Sequence, residues 1–261
     1  MHTPELGSSS ADLLEKERVE YNRRYSRVTL ANFHIPAHIL PQEEWELWNR
    51  CVGSLAGKSV LECGAGDGYN AVWIANQGAD VTAVELSPVG VSRIIERAES
   101  HGFQDRLRAI CADCCDLDVV IPPNSIDIVL GFSVLHHLPP NRFGTALARI
   151  LKPGGRAVFL ENSNANPLYR FARKIRNSES ACGAPLDGKE VDALIALVGG
   201  GEKVYPRFGL FGLTKKYIFQ QSKVFATIVD GVDGVIDHIP GSRRFSAHMW
   251  VVLYKGTGKQ P

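Results

Sequence analysis

Between an apolar run and a helix-prone one, the stretch Val60-Leu61-Glu62-Cys63-Gly64-Ala65-Gly66-Asp67-Gly68-Tyr69 sets three glycines at alternate positions. Glycines so spaced let a chain turn sharply and bring its backbone against a ligand with no Cβ in the way. A pyrophosphate-binding turn requires G-x-G-x-x-G, and Tyr69 stands where its third glycine would fall. Glu62, just ahead of the glycines, would repel an anion but can accept a hydrogen bond from an ammonium group. A second cluster is Phe132-Ser133-Val134-Leu135-His136-His137-Leu138. Histidine is the side chain best matched to general-base work near neutral pH, so His136 and then His137 are candidate bases. Cys111, Cys114 and Cys115 contain a C-x-x-C, but no second pair stands at matching spacing. Free thiols and no metal are expected.

These residues need elements to hold them. KSVLECGAG reads as a short strand running into glycines, DGYNAVWIANQG as a helix, ADVTAVELS as a second strand and SPVGVSRIIERAESHG as a further helix. RLRAICADC follows as a third strand, and SIDIVLGFSVLHHL as a fourth that runs into a helix. LARILKPGGRAVFLEN gives the end of that helix, a Pro-Gly-Gly turn and a fifth strand. Strands alternating with helices predict parallel β-α-β units and a doubly wound α/β sheet. Residues 1–50 read as a helical arm, with one helix in ADLLEKERVEYNRRYSRV and another around Trp45, Leu47, Trp48 and Cys51. Beyond residue 162 the pattern is less regular. Helices are expected in NPLYRFARKIRN, KEVDALIALVG and around Val224 to Val235, a glycine-interrupted strand region in EKVYPRFGLFGLTKKYIF, and a final strand at MWVVLY. Residues 51–261 are thus read as one domain, with cover segments at about 163–240.

Composition narrows the partners. The chain has 261 residues, 44% hydrophobic, with 29 basic against 28 acidic side chains. A nucleic-acid or anionic-membrane surface needs a local excess of Lys and Arg, and here the signs interleave, so neither partner is expected. No segment approaches the roughly 18 apolar residues of a spanning helix, and the N-terminus lacks the basic and apolar regions of a secretory leader. The expectation is a cytoplasmic protein, monomer or homodimer.

Glu62-x-Gly64-x-Gly66-x-Gly68 resembles the first motif of the class I S-adenosylmethionine-dependent methyltransferases, and four later landmarks follow in that family's order. Glu85 ends the second strand in VTAVELS, where the resemblance implies an acid that takes both ribose hydroxyls, with Leu86 beside it. A carboxylate has two acceptor oxygens for two adjacent donors. Nicotinamide enzymes place an acid in the same way, so Glu85 alone leaves an NAD-dependent oxidoreductase open. Asp113 resembles the residue that accepts from the adenine amino group, with Ala112 and Cys114 giving neighbouring backbone contacts. Asp127 and the turn Leu151 to Gly155 match the motifs around the fourth and fifth strands, and both read as structural. The resemblance covers about residues 55 to 162. It implies a Rossmann-like, mostly parallel seven-stranded sheet, S-adenosylmethionine as cofactor and S-adenosylhomocysteine as product.

The same resemblance implies that Gly64, Ala65, Gly66 and Gly68 border the methionine part and that Phe132 and Ser133 border the sulfonium. Aromatic faces suit a sulfonium, so Tyr21 and Tyr25 could cover the cofactor. His136 matches a position directed at the acceptor in related enzymes. Glu161 and Asn162 could also reach the acceptor, as could His34 and His38. Asn166-Pro167-Leu168-Tyr169 lies after the fifth strand, whereas the N-P-P-Y signature of nucleobase and amide methylation belongs after the fourth. A small-molecule acceptor methylated on oxygen or nitrogen, plausible in specialised metabolism, is therefore expected. The alternatives are the oxidoreductase and a cofactor-binding module without activity.

Overall fold

The computed structural model describes residues 10–30, 34–40, 42–163, 165, 186–206, 223–246 and 248–256. Each strand of its first half is a short run of β-branched and apolar residues closed by a polar or glycine turn, which is what a parallel strand covered on both faces requires. β1 (Ser59–Cys63), β2 (Asp80–Glu85) and β3 (Leu107–Cys111) are joined by the helices α3 (Tyr69–Asn76) and α4 (Pro88–Ser100). The helices α1 (Ser10–Tyr25) and α2 (Gln42–Val52) precede them. The second half carries α5 (Leu117–Val120), β4 (Ile126–Phe132), α6 (Pro140–Ile150), β5 (Leu151–Asn162), α7 (Gly188–Val198), β6 (Gly201–Val204), α8 (Lys223–Asp237) and β7 (His248–Tyr254). The sheet has seven strands in the order β3-β2-β1-β4-β5-β7-β6.

The chain divides into two compact units, Met1–Ile39 with Leu55–Cys114, and Leu40–Ser54 with Cys115–Pro261. In the first, β1 pairs parallel with β2 from Ser59↔Asp80 to Cys63↔Val84, and β2 with β3 from Val81↔Leu107 to Glu85↔Cys111. These registers bring the segments after Cys63, Glu85 and Cys111 to one carboxyl-end edge, the place where open α/β sheets bind ligands. α4 starts at a built cap: Ser87 accepts from the Gly90 N–H at 3.0 Å, and Pro88 takes the first helical position, where a missing N–H costs nothing.

In the second unit β4 and β5 run parallel, while β7 lies antiparallel to both β5 and β6. Phe143 of α6 and Phe159 of β5 meet edge to face at 5.7 Å in the core. Two local expectations change. The Leu151–Gly155 segment lies within β5, where pairing jumps from Ile126↔Leu151 to Ile128↔Arg156. A Cβ on Gly155 would come within 2.9 Å of the Lys152 carbonyl and 3.1 Å of the Asp127 carbonyl, so only glycine lets the chain fold so closely on itself. The Lys152 ammonium meets the Asp127 carboxylate at 2.7 Å. The histidine pair does not open a helix: it lies in a 3₁₀ turn, Leu135–His137, and α6 begins at Pro140. Proline favours that first position and disfavours helical backbone in the residue before it. The expected NPLYRFARKIRN helix and the segment 207–222 lie outside the described residues.

Candidate active site

The glycine turn in the first unit is a cradle with acidic walls. Gly64, Gly66 and Gly68 have φ of 64°, 62° and 82°, so all three occupy the left-handed region that glycine enters at least cost. The Ala65 N–H donates to the Val84 carbonyl at 3.1 Å, tying the turn to β2. Glu85 fixes the turn from the other side: Oε2 accepts from the Gly66 N–H and Oε1 from the Ser87 N–H, each at 2.9 Å. Burial pushes the Glu85 carboxyl above its ordinary range, opposed by these backbone donors. Arg97, buried in α4, donates to the Asp67 carbonyl at 3.0 Å and pairs with the Asp67 carboxylate.

Glu62 is 1% exposed, and its Oε2 has no hydrogen-bond partner among the described residues. Burial drives its pKa well above that of an ordinary carboxyl; Asn70 opposes the rise by hydrogen bonding, and Glu85 and Asp67 add to it by charge repulsion. A buried acceptor without a donor is costly, and a cationic or N–H-bearing ligand group would remove that cost. A pyrophosphate would raise it.

Tyr25 closes one side of the cradle. A Cβ on Gly66 would stand 3.2 Å from the Tyr25 Oη, and one on Gly90 would stand 3.0 Å from Tyr25 Cδ2, 2.8 Å from Glu85 Cγ and 2.8 Å from the Gly66 carbonyl. Tyr21 stacks on Tyr25 with ring centroids 5.9 Å apart. Burial, reinforced by the Glu85 charge, raises the Tyr25 pKa and keeps its hydroxyl neutral. Asp113 follows β3 by two residues, after Ala112, whose N–H donates to the Glu85 carbonyl at 3.1 Å; Cys114 is buried.

The second unit holds the histidines. Glu161 near the end of β5 is 1% exposed, and its carboxylate is fully engaged. Oε1 accepts from the Val134 and Leu135 N–H groups at 2.7 and 2.8 Å, and Oε2 lies 2.8 Å from His136 Nδ1. A carboxylate can only accept, so Nδ1 carries the proton and Nε2 is left with the lone pair whenever the ring is neutral. His137 stacks obliquely on His136 at 4.2 Å between centroids. Ser133, which begins this turn, has φ of 54°, uncommon for a residue with a side chain, and its N–H donates to the Leu160 carbonyl at 2.8 Å. Phe132 stacks on Trp48 of α2 at 5.9 Å and 10°, and Trp48 stacks in turn on Trp45.

In the first unit, then, Glu62, Gly64, Ala65, Gly66, Gly68, Glu85, Tyr21 and Tyr25 come together, with Leu86 and Asp113 on neighbouring turns. In the second, His136, His137 and Glu161 come together beside Phe132 and Ser133. Glu161 bonds the histidine turn, whereas the sequence suggested that it could reach an acceptor. His34 and His38 are exposed. Cys51, Cys63, Cys111, Cys114 and Cys115 are free thiols; Cys182 lies outside the described residues, and among those described no three His, Cys, Asp or Glu gather as a metal site. Three participants went unnoticed in the sequence. Gly90 and Ser87 had a signal in Ser-Pro-x-Gly, a helix cap with a glycine on its first turn, whereas Trp48 had none beyond its place in an amphipathic helix.

Residues 61–159 match a family model described as a methyltransferase domain. The chain is similar to a ubiquinone biosynthesis O-methyltransferase of Dechloromonas aromatica, 38% identical over 125 residues, 46% of this chain and 50% of that one. It is also similar to one from Pseudomonas entomophila, 30% identical over 167 residues, 55% of this chain and 69% of the relative. The match spans about half the length of the first of these relatives. A crystal structure of geranyl diphosphate C-methyltransferase from Streptomyces coelicolor shares the fold, with a TM-score of 0.63 at 16% identity, covering 95% of this chain and 99% of that one. Among the described residues no helix is long and apolar enough to cross a membrane.

Proposed function

The chain belongs to the class I S-adenosylmethionine-dependent methyltransferases, and on that premise we propose that it methylates a hydroxyl group of a small molecule, using S-adenosylmethionine and releasing S-adenosylhomocysteine. The observation that carries this reading is the buried Glu62 oxygen without a donor, on a turn flanked by Glu85 and Asp67. A buried carboxyl left short of a donor among other acids is completed by a cationic or N–H-bearing group and not by a pyrophosphate, which favours an adenosyl amino acid over a dinucleotide. The two O-methyltransferase relatives support oxygen over nitrogen as the acceptor atom.

The chemistry that the cofactor supplies when bound is a methyl group on a positively charged sulfur. Glu62 would accept from its amino group, and the backbone of Gly64, Ala65, Gly66 and Gly68 would border its methionine part. Glu85, with Leu86 beside it, would take the ribose hydroxyls through the lone pairs that Gly66 and Ser87 leave free. Asp113 and Cys114 would border the adenine, and Tyr21 and Tyr25 would shield the cradle from water; Phe132 and Ser133, in the other unit, are the residues that the family resemblance assigns to the sulfonium. His136 takes the acceptor's proton at Nε2, while Glu161 holds its Nδ1 proton in place and favours the imidazolium that forms. His137 is the second candidate for that proton. We further read residues 1–50 as an arm, residues 51–261 as the catalytic domain with a cover at about 163–240, and the protein as a cytoplasmic monomer or homodimer of specialised metabolism that engages neither nucleic acid nor membrane.

Calorimetric titration with S-adenosylmethionine, S-adenosylhomocysteine and NADH tests this reading. Micromolar binding of both adenosyl ligands, weakened in Glu85→Ala, is expected. Binding of NADH alone would move the chain to the oxidoreductases, and adenosyl binding without turnover on any of a panel of phenols, sugars and amines would favour a binding module.

A further inference from the structure

Little apolar burial fastens α1 to the first unit. Leu13, Leu14 and Val19 are exposed, and the helix lacks the apolar stripe that usually anchors a surface helix. What anchors its last turn is polar and local. The Ser87 hydroxyl lies 2.6 Å from Asn22 Oδ1, Arg93 Nε donates to the Tyr25 carbonyl at 3.4 Å, and the Tyr25 ring fills the notch left by Gly66 and Gly90.

Ser87 is fully buried, and each of its polar groups has a distinct duty. Its N–H donates to Glu85 Oε1, and its hydroxyl oxygen accepts from the Gly90 N–H. With one proton left to give, the hydroxyl donates to Asn22 Oδ1. One side chain therefore touches the arm, the cap of α4 and, through its own backbone, the carboxylate assigned to the ribose. We propose that Asn22 and Ser87 are positioning residues for the cofactor. Their hydrogen bond holds Tyr25 over Gly66 and so sets the affinity of the cradle, with no part in the chemical step. This inference rests on the reading of the cradle as an adenosyl-cofactor site.

Asn22 contributes only its oxygen to this bond, so aspartate can replace it and leucine cannot. The test is calorimetric titration of the full chain with S-adenosylhomocysteine, alongside Asn22→Leu, Asn22→Asp, Ser87→Ala and the double variant Asn22→Leu/Ser87→Ala. Loss of one bond to a buried hydroxyl predicts a dissociation constant raised roughly five- to tenfold in Asn22→Leu, and Ser87→Ala, which also removes the acceptor for the Gly90 N–H, should weaken binding at least as much. Asn22→Asp should stay within about twofold of the parent, and the double variant should bind no more weakly than Ser87→Ala, because the two side chains make one interaction. Parent-like binding by Asn22→Leu, or weakening in Asn22→Asp equal to that in Asn22→Leu, overturns the proposal. Failure of the parent itself to bind S-adenosylhomocysteine would overturn the cofactor reading and this inference with it, an outcome distinct from parent binding that Asn22→Leu leaves unchanged.

Discussion

Glu62 and Glu161 are both glutamates buried to 1% exposure, one in each unit, and their surroundings are opposite. Glu161 has a donor at each oxygen: two backbone N–H groups on one and a histidine nitrogen on the other. Glu62 has an oxygen with no donor, and other carboxylates nearby push its proton affinity up further. A buried carboxyl group that is fully hydrogen-bonded holds structure in place, whereas one left short is most stable when something arrives to complete it. In our reading the difference separates a group that positions from a group that binds.

The largest expected effect breaks the satisfied side. In Glu161→Gln the amide oxygen can still take the Val134 and Leu135 N–H groups, but the amide nitrogen now donates to His136 Nδ1. The ring then carries its proton on Nε2 and loses its capacity as a base there. Turnover on an accepted substrate should fall by about 100-fold or more, the upper range of general-base contributions being about 10⁴. Affinity for S-adenosylhomocysteine should stay within about twofold. Unchanged turnover would remove the His136–Glu161 pair from the mechanism.

Glu85→Ala removes the acceptor for two backbone donors and, in our reading, for two ribose hydroxyls. We expect adenosyl-ligand affinity to drop by about 100-fold, equivalent to two charge-assisted hydrogen bonds at roughly 1.5 kcal/mol each. Gly90→Ala sharpens the same side without altering charge. Its Cβ would press on Glu85 Cγ and the Gly66 carbonyl, both at 2.8 Å, and the carbonyl belongs to a backbone that cannot turn aside. Urea denaturation should show about 1–3 kcal/mol of lost stability, the ordinary cost of overpacking.

The smallest effect has an unusual sign. A carboxyl whose pKa is raised by folding favours the folded state while it is protonated, and that contribution is lost as pH rises through the folded-state value. The ligand-free protein should therefore lose stability with rising pH above the ordinary carboxylate range. Glu62→Gln, which mimics the protonated form, should flatten that slope and melt at a higher temperature at pH 8. The same variant should bind S-adenosylmethionine about tenfold more weakly. A variant that bound as tightly as the parent would show that Glu62 is a buried oddity and not a ligand group.

Sequence made the cradle legible because its parts lie along a strand-turn-helix unit of local order. Glu62, the alternate glycines and Glu85 are placed by two short strands and the turns that end them, and short apolar runs closed by glycine or polar residues suffice to find those. The parallel sheet followed from strands alternating with helices, and its seven strands from the family resemblance. What escaped depends on pairings that no local pattern contains. His136 and Glu161 meet across 25 positions, Asn22 and Ser87 across 65, and only the finished sheet and the docked arm bring them together. The histidine turn was misjudged for a different reason. Apolar spacing in SVLHHL suits a helix, but Pro139 and Pro140 set the helix start downstream, and Glu161 stabilises the preceding turn from another strand.

β7 pairs along its length with β5 on one side and with β6 on the other, although β5 is made long before it and β6 stands between them in the chain. During synthesis, Arg156 to Asn162 must wait, one edge unpaired, while more than 80 further residues leave the ribosome, until His248–Tyr254 arrives to be inserted. An open strand edge is a template for the wrong neighbour. The interval before that strand emerges is accordingly when the nascent chain most needs a chaperone, and shortened products that end ahead of residue 248 should aggregate while the full-length chain remains dispersed.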